Sequence, residues 1–365
     1  MSTIRDLPTP DFTFDPDAPG ACIAGVRPYR EGSYRLDAES VSGKFVVHNY
    51  GHGGAGITLS WGCADRVQAI VQQHRVASHD TEVAVLGAGV MGLTAATLLL
   101  DVGLKVTIYS DRKPDETTSF KAGGQWAASV VEYKGKEQEF GGILQTAYDK
   151  FKEKIGKDYG ISMRPNYSTD MTHGLEVVRS FAPHVPLNRM RLQRLPFEAH
   201  TGAGWVYQTL LIEPPILLPR LEKDLRARGV PFVHKHFASA SDVFTSVTQS
   251  IIVNCTGLGA KTLWNDSNMV PIQGQLAMLP PQPALHYLYG ESGYLFPRAD
   301  HVVIGGTFEK RDSEIPDKAK CKELVRHMAS LFGKAARRPL PEFHIHHPRN
   351  APMVRSPRIG VADEA

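Results

Sequence analysis

The stretch EVAVLGAGVMGLTAATLLLDVGLKVTIYSD, residues 82–111, determines the fold class. Its first five residues form a valine-rich apolar run, which is typical of a buried strand. A glycine-rich turn follows, and the small and apolar residues after the turn predict a helix. KVTIYS predicts a second buried strand. Because a strand, a helix and a strand in this order build parallel sheets with helices on both faces, we expect an α/β fold.

The turn after the first strand contains Gly87, Gly89 and Gly92 in the pattern G-x-G-x-x-G, with Met91 inside it. The first glycine of such a turn permits a tight bend, the second lets the backbone approach a pyrophosphate, and the third lets the helix pack on the strand. Free N–H groups at the helix start also attract phosphate. Asp111, just after the second strand, can accept ribose hydroxyls. We therefore predict a dinucleotide site, although NAD and FAD both use this turn, and a packing turn without a ligand is the alternative.

Composition excludes several classes of protein. The 365 residues include 41 Lys and Arg against 38 Asp and Glu, and a net charge of +3 gives no argument for nucleic acid. Four cysteines without a C-x-x-C pair exclude a disulfide framework and a zinc motif. The histidines of HIHH, residues 344–347, lack further ligands at metal-binding spacing, so we expect no metal. Without a long apolar run or a signal-like N-terminus, we expect no membrane span and a cytoplasmic location.

The rest of the chain predicts a second structural unit. QLAML, GYLFP and HVVIGGTF, within residues 270–308, alternate apolar with other positions and predict an antiparallel sheet. Residues 1–20 are rich in proline and aspartate, which predicts an extended arm or a poorly ordered lead. Residues 334–365 form a basic, proline-rich segment, which we interpret as a solvated tail.

Longer blocks of the sequence resemble one family. VLGAGVMGLTAATLLL (85–100) and IYSDRKPDETTSFKAGGQW (108–126) are similar to the opening of the D-amino acid oxidase and D-aspartate oxidase family of FAD enzymes. VNCTGLGA, VPIQGQ, GYLFP and VVIGGTFEK resemble its middle. GVRPYREGSYRLDAE (25–39) and VVHNYGHGGAGITLSWGCA (46–64) resemble its closing segment, and this pair is the most specific. Together the blocks cover most of residues 21–333.

The order of these blocks differs from that of the family. The two blocks that normally come last precede the glycine-rich turn here, so the chain resembles a circular permutant in which HRVASHD, residues 74–80, joins the old ends. Chain ends often lie close together at the surface, which makes such a rearrangement physically reasonable. The alternative is a fused fragment whose missing piece comes from a partner chain.

The resemblance implies a Rossmann-like FAD-binding domain and an antiparallel-sheet substrate domain, interleaved in the permuted order. The predicted boundaries are an N-terminal arm at 1–20, an FAD-binding domain at 44–130 plus 213–265, a substrate-binding domain at 21–43 plus 131–212 plus 266–333, and a basic tail at 334–365.

The resemblance also implies which residues hold FAD, from the pyrophosphate and adenosine through the ribityl chain to the flavin ring. These residues are Gly87, Gly89, Met91, Gly92, Asp111, Arg112, Thr117, Thr118, Ser119, Gly123, Gly124, Gln125, Phe237, Thr256, Gly53, Gly54, Gly56, Ile57 and Thr58. Gly53 to Thr58 would surround the pyrimidine end of the flavin, where backbone N–H groups favour negative charge.

Three residues match the substrate-binding positions of the family. Arg27 would hold the substrate carboxylate, because a guanidinium makes two parallel charge-assisted bonds to it. Tyr294 would add a hydrogen bond to the same carboxylate, and Gly54 would offer its carbonyl to the amine. The simpler alternatives are a surface arginine in a salt bridge and a tyrosine in the core.

The implied reaction is oxidation of a D-amino acid by hydride transfer from Cα to flavin N5. The imino acid would hydrolyse to a 2-oxo acid and ammonia, and oxygen would be reduced to hydrogen peroxide. Gln273 and Tyr289 stand where the resemblance implies arginines in relatives with acidic substrates, which predicts a substrate with a neutral or apolar side chain. The alternatives are a flavin dehydrogenase or secondary-amine oxidase on the same fold, an NAD(P)-dependent reductase, and a non-catalytic flavin-binding protein. The expected partners are an amino acid, oxygen and a second copy in a homodimer.

Overall fold

The computed structural model describes residues 6–170 and 173–334. Its strands, in chain order, are β1 (Cys22–Arg30), β2 (Arg35–Val41), β3 (Lys44–Tyr50), β4 (Glu82–Leu86), β5 (Lys105–Ser110), β6 (Ile161–Ser168), β7 (Met190–Leu192), β8 (Gly204–Ile212), β9 (Phe232–His234), β10 (Ile251–Asn254), β11 (Met269–Leu279), β12 (Leu288–Gly290), β13 (Tyr294–Pro297), β14 (Val302–Gly305) and β15 (Glu309–Lys310). The helices are α1 (Gly56–Ser78), α2 (Val90–Asp101), α3 (Glu137–Lys152), α4 (His173–Phe181), α5 (Pro214–Ala227), α6 (Ala240–Ser246), α7 (Ala260–Leu263) and α8 (Lys318–Leu331).

One sheet contains the strand–helix–strand unit predicted from residues 82–111. Its strand order is β2-β3-β10-β4-β5-β9, and every pair except β2 with β3 is parallel. Val83 and Val85 of β4 belong to the core cluster that includes α1 and α2. Ala84 and Leu86 point to the opposite face and pack in the cluster that contains Val243 of α6. Helices on both faces of a mostly parallel sheet confirm the predicted α/β fold.

The segment 21–43 departs from the predicted domain division because its two strands lie in different sheets. β1 joins the second sheet, whereas β2 forms an antiparallel hairpin with β3 in the first. The hairpin turns at Ser42 and Gly43, whose φ angles are 52° and 74°. Two consecutive positive φ angles match the twist of tight hairpins, and this two-residue connection keeps β2 beside β3.

The second sheet has nine described strands, in the order β1-β11-β14-β13-β12-β6-β8-β7 with β15 on β11. The pairs of β11 with β14 and of β13 with β14 are antiparallel, which confirms the arrangement predicted for residues 270–308. β12 departs from this pattern, since it pairs with β6 in parallel. β1 pairs with β11 along its whole length, so Arg27 lies opposite Ile272.

The N-terminal arm is extended and packed against the second sheet. Leu7 N donates to the Pro196 carbonyl at 2.8 Å, and the Tyr287 hydroxyl donates to the Pro8 carbonyl at 2.7 Å. The ring of Phe12 lies 5.7 Å from that of Phe332, just beyond α8. The extended alternative therefore holds for residues 6–20, and the predicted tail from residue 335 onward lies outside the described residues.

Candidate functional site

The glycine-rich turn lies at the carboxyl end of β4 and leads into α2. Gly87 has a φ of 102°, and a Cβ atom there would lie 2.5 Å from the Cys255 carbonyl oxygen. A Cβ on Gly92 would lie 2.0 Å from the carbonyl oxygen of Gly87. Both neighbours are backbone atoms, so only glycine fits without moving the chain. The turn therefore brings the first residues of α2, Val90 and Met91, to the wall of a large cavity.

That cavity, with a volume of about 590 Å³, is lined by residues from both sheets. The sequence-predicted residues in its wall are Arg27, Gly53, Gly54, Gly56, Ile57, Thr58, Met91, Thr118, Ser119, Gly123, Gly124, Gln125 and Tyr294. The structure thus brings the early block around Arg27 and the glycine loop at 53–58 to the same place as the start of α2. No sequence pattern within one segment could have shown this juxtaposition.

The remaining predicted residues lie outside the cavity wall. These are Gly87, Gly89, Gly92, Asp111, Arg112, Thr117, Phe237 and Thr256. The exposed Asp111 lies after β5, with an oxygen 3.3 Å from His236. The guanidinium of Arg112 pairs with Glu314 at 2.7 Å, so a ligand would have to compete for it. The hydroxyls of Thr117 and Thr256 are also engaged, with Pro114 and Asn254 respectively.

Hydroxyl groups hold the loops of the wall in place. Ser119 Oγ accepts a hydrogen bond from the Val90 N–H at 3.1 Å, which fixes residue 119 at the start of α2. The Thr58 hydroxyl donates to the Ala127 carbonyl at 2.9 Å and accepts from the Ala127 N–H at 3.1 Å. Thr58 thereby ties α1 to the loop 123–130, a positioning role beyond its predicted contact with a ligand.

Arg27 projects into the cavity from β1 without a carboxylate partner among the described residues. Its Nη1 donates to the Thr307 carbonyl at 3.1 Å, and its Cζ lies 4.6 Å from the centre of the Phe308 ring. A Cβ at Gly274 would lie 2.5 Å from this guanidinium, so the glycine provides room for it. Burial lowers the pKa of Arg27, and the neighbouring Tyr294 partly opposes the shift. Since an arginine stays protonated in proteins, Arg27 offers a positive fork to an anion.

Tyr294 lies beside Arg27, whose positive charge partly offsets the effect of burial on the pKa of the phenol. Its ring stacks on Phe296 with centres 4.3 Å apart. Cβ atoms built at Gly123 and Gly305 would lie 3.1 Å and 2.4 Å from its hydroxyl. Burial raises the pKa of Tyr294, which keeps the phenol protonated as a hydrogen-bond donor. The structure thus places Arg27 and Tyr294 side by side on the cavity wall, where a guanidinium and a phenol supply the kinds of donor that a carboxylate accepts.

Sequence reasoning missed three charged residues of the cavity wall. It also assigned to the substrate pocket two residues that do not line the cavity. Lys121, Asp170 and Glu291 line the cavity, but no motif or spacing marks them. Gln273 and Tyr289 are only 1 % and 0 % exposed and lie outside the wall. The argument that Gln273 and Tyr289 favour a substrate with a neutral side chain is therefore wrong, because neither residue lines the cavity.

His52, also in the wall, is uncharged at neutral pH. Its ring stacks on Tyr34 at 5.3 Å, and its Nε2 lies 3.4 Å from the thiol sulfur of Cys63. Burial, with a smaller contribution from the charge of Lys136, lowers the pKa of His52 to about 3. A histidine held neutral in this way offers no charge to an anionic ligand.

Replacing His52 with phenylalanine should make the free energy of unfolding depend less on pH below pH 6.5. An unfolded histidine titrates near pH 6.5, so between pH 6.5 and 3 the unfolded chain binds a proton that the folded chain does not. The free energy of unfolding therefore keeps its full value above pH 6.5. It decreases as the pH drops through this window, and at pH 5 the loss is about 2 kcal/mol. Denaturant unfolding from pH 4.5 to 7.5 measures this loss, which His52→Phe should remove and the exposed control His236→Phe should retain.

The comparisons with known proteins identify the family. The pattern of the FAD-dependent oxidoreductase family matches residues 82–362, so the chain belongs to this family and takes FAD as its cofactor. The chain is 29 % identical to a D-amino-acid oxidase of Streptomyces coelicolor over 261 residues, which cover 69 % of this chain and 78 % of the relative. It is 27 % identical to the human D-aspartate oxidase, over 68 % of this chain and 75 % of the relative.

A solved structure supports the same fold. The glycine oxidase of Bacillus cereus superposes with a TM-score of 0.51 at 15 % identity, covering 68 % of this chain and 77 % of that one.

No helix in the described part of the chain is both long and apolar enough to cross a bilayer. Within the same residues, no three side chains of the metal-binding types are grouped to hold an ion.

The residues of the cavity fit FAD. Glycine backbone and the start of α2 form a cradle of the kind that binds a pyrophosphate, and a Cβ at Gly53 would lie 1.9 Å from the Val130 carbonyl oxygen. The loops 53–58 and 118–125 then continue along the cavity with hydroxyl and amide groups. This set of backbone N–H, hydroxyl and amide donors matches the phosphate, ribityl and ring groups of a flavin dinucleotide.

Proposed function

We propose that the protein oxidises D-amino acids. The products are the 2-oxo acid and ammonia, and molecular oxygen is reduced to hydrogen peroxide, so that one amino acid, one oxygen and one water are consumed. The observation that carries this proposal is the presence of Arg27 and Tyr294 in the cavity that also receives the start of α2. The names of the two relatives support D-amino acids as substrates.

The residues of the chain bind and orient the substrate. FAD, when bound, supplies the acceptor for the two electrons. Arg27 and Tyr294 hold the substrate carboxylate through charge-assisted hydrogen bonds, which fix the direction of the Cα–H bond. We propose that the Gly54 carbonyl accepts a hydrogen bond from the amine. The surrounding apolar wall, including Phe296 and Leu276, excludes water and strengthens these contacts.

The visible spectrum of the purified protein tests this function. The holoenzyme should be yellow, and D-amino acids added without air should bleach it, whereas L-amino acids should not. Readmitting air should restore the colour and release peroxide in an amount equal to the 2-oxo acid. Bleaching without peroxide would indicate a dehydrogenase, bleaching only by D-proline would indicate a secondary-amine oxidase, and no bleaching would indicate a non-catalytic flavoprotein.

We also propose that the chain is a circular permutant of its family. The family pattern begins at residue 82, although β1, β2, β3 and α1 all precede it. Only residues 79–81 separate α1 from β4. The arm meets the other described end of the chain, where Asp17 pairs with Lys318 at 2.9 Å and Phe12 contacts Phe332. Ends that meet in this way make the reordering sterically simple.

A reordered chain provides the test. Residues 80–365 followed by residues 1–79 should bind FAD and unfold cooperatively, because the new break falls in the short connection after α1 and both sheets keep all their strands. Absorbance of bound FAD and thermal unfolding measure the outcome. A matched control opens the chain between Cys63 and Ala64, both fully buried in α1, and should not fold. If both reordered chains fail alike, the permutation is wrong.

A further inference from the structure

The charges on the cavity wall are unevenly distributed. Arg27, Lys121, Asp170 and Glu291 are the charged residues in the described lining. Lys121 already has an ion-pair partner, since its Nζ lies 2.7 Å from a carboxylate oxygen of Glu314, which also pairs with Arg112. The substrate carboxylate would neutralise Arg27. The carboxylates of Asp170 and Glu291 form no ion pair within the part of the chain that the structure describes, so two negative charges stay uncompensated.

Strand pairing places both carboxylates at the substrate end of the cavity. Tyr294 pairs with Gly290 across the hairpin of β12 and β13, and Glu291 is the first residue of the hairpin turn. Tyr289 of β12 pairs with Tyr167 of β6, which places the residues just after β6, including Asp170, beside this turn. Val90 and Met91, at the start of α2, line the same cavity from the side of the other sheet.

Glu291 is held in position while part of its carboxylate stays free. One oxygen, Oε2, accepts a hydrogen bond from the Tyr289 hydroxyl at 2.5 Å. That tyrosine is fully buried and lies 3.1 Å from a ring nitrogen of His200. The nearby His327 does not supply a compensating charge, because burial lowers its pKa. Oε1 has no protein hydrogen bond among the described residues and can accept one from a ligand.

We propose that this site selects D-amino acids with a cationic side chain, which Glu291 receives, with Asp170 as a second carboxylate nearby. A basic amino acid carries one negative and two positive charges, which match Arg27 and the two carboxylates. An acidic side chain would meet two like charges, which is strongly unfavourable in a partly buried site. This inference rests on the proposed oxidation of D-amino acids.

D-arginine and D-citrulline provide the matched test with the holoenzyme, since they have the same length and differ in side-chain charge. The kcat/KM for D-arginine should exceed that for D-citrulline by about tenfold or more. Glu291→Gln should lower kcat/KM for D-arginine by about tenfold, mainly through KM, and change D-citrulline by less than twofold. Asp170→Asn should have a smaller effect in the same direction. The exposed control Glu153→Gln should change neither substrate.

Binding without turnover separates this inference from the proposed function. The probes are 5-guanidinopentanoate and 5-ureidopentanoate, which lack the reacting amine, and the signal is the change in the visible spectrum of bound FAD. The guanidino acid should bind about tenfold more tightly, and Glu291→Gln should abolish the difference. If this preference appears but no D-amino acid is oxidised, the proposed function is wrong and the charge selection stands. If D-citrulline is oxidised as well as D-arginine, or Glu291→Gln weakens both equally, the selection is wrong.

Discussion

Replacing Arg27 with alanine is expected to reduce kcat/KM for D-amino acids by roughly a thousandfold. The guanidinium offers two charge-assisted hydrogen bonds to the carboxylate, each worth about 1.5–3 kcal/mol, and no other unpaired cation of the described lining can replace it. FAD should stay bound, because Arg27 comes from β1 at the substrate end. Steady-state kinetics with the absorbance of bound FAD measure both quantities.

Two variants serve as controls for this prediction. Arg27→Lys retains the charge but loses the planar fork, so it should recover only part of the activity. Arg311→Ala removes an exposed arginine outside the cavity lining and should leave kcat/KM unchanged. Activity of Arg27→Ala within threefold of the wild-type value would show that the carboxylate is bound elsewhere.

The second large effect is expected at the glycine-rich turn. A methyl group on Gly92 would lie 2.0 Å from the Gly87 carbonyl oxygen, so Gly92→Ala forces α2 away from β4. We expect a loss of about 3 kcal/mol in the free energy of unfolding, together with loss of bound FAD. Urea unfolding and the absorbance of bound flavin measure the two effects.

Gly142→Ala is the matched control, because a Cβ there meets nothing within 4 Å and the residue lies inside α3. It should stabilise the protein by about 0.5–1 kcal/mol, since alanine is the better helix former. Normal FAD content in Gly92→Ala would contradict the assignment of this turn to the cofactor.

The sequence predicted the parts of the fold that depend on local patterns. Residues 82–111 could be interpreted because a buried strand, a glycine turn and an apolar helix follow each other without interruption. The prediction assigned β2 to the substrate-binding domain, whereas the strand pairs with β3 in the other sheet. The two-residue turn at Ser42 and Gly43 is typical of a hairpin and could have indicated this pairing. The apolar and polar pattern of a strand shows which face is buried but does not name its partner strand.

The candidate site shows the same limit. Arg27 and Tyr294 were found because each lies in a recognisable block. Glu291 and Asp170 were not, because an acidic residue in a turn is usually solvated and only the pairing of β12 with β6 brings the two together. Gln273 and Tyr289 were misplaced for the converse reason, since a position taken from a resemblance does not tell which way a side chain points.

The pairing of β1 with β11 has a consequence for biosynthesis. Residues 22–30 leave the ribosome long before residues 269–279, and at 5–20 residues per second the delay is roughly 10–50 s. During translation the nascent strand has a row of unsatisfied backbone groups, which makes it prone to pair with other molecules. Expression yield should therefore depend on chaperones that shield this segment until its partner strand is made.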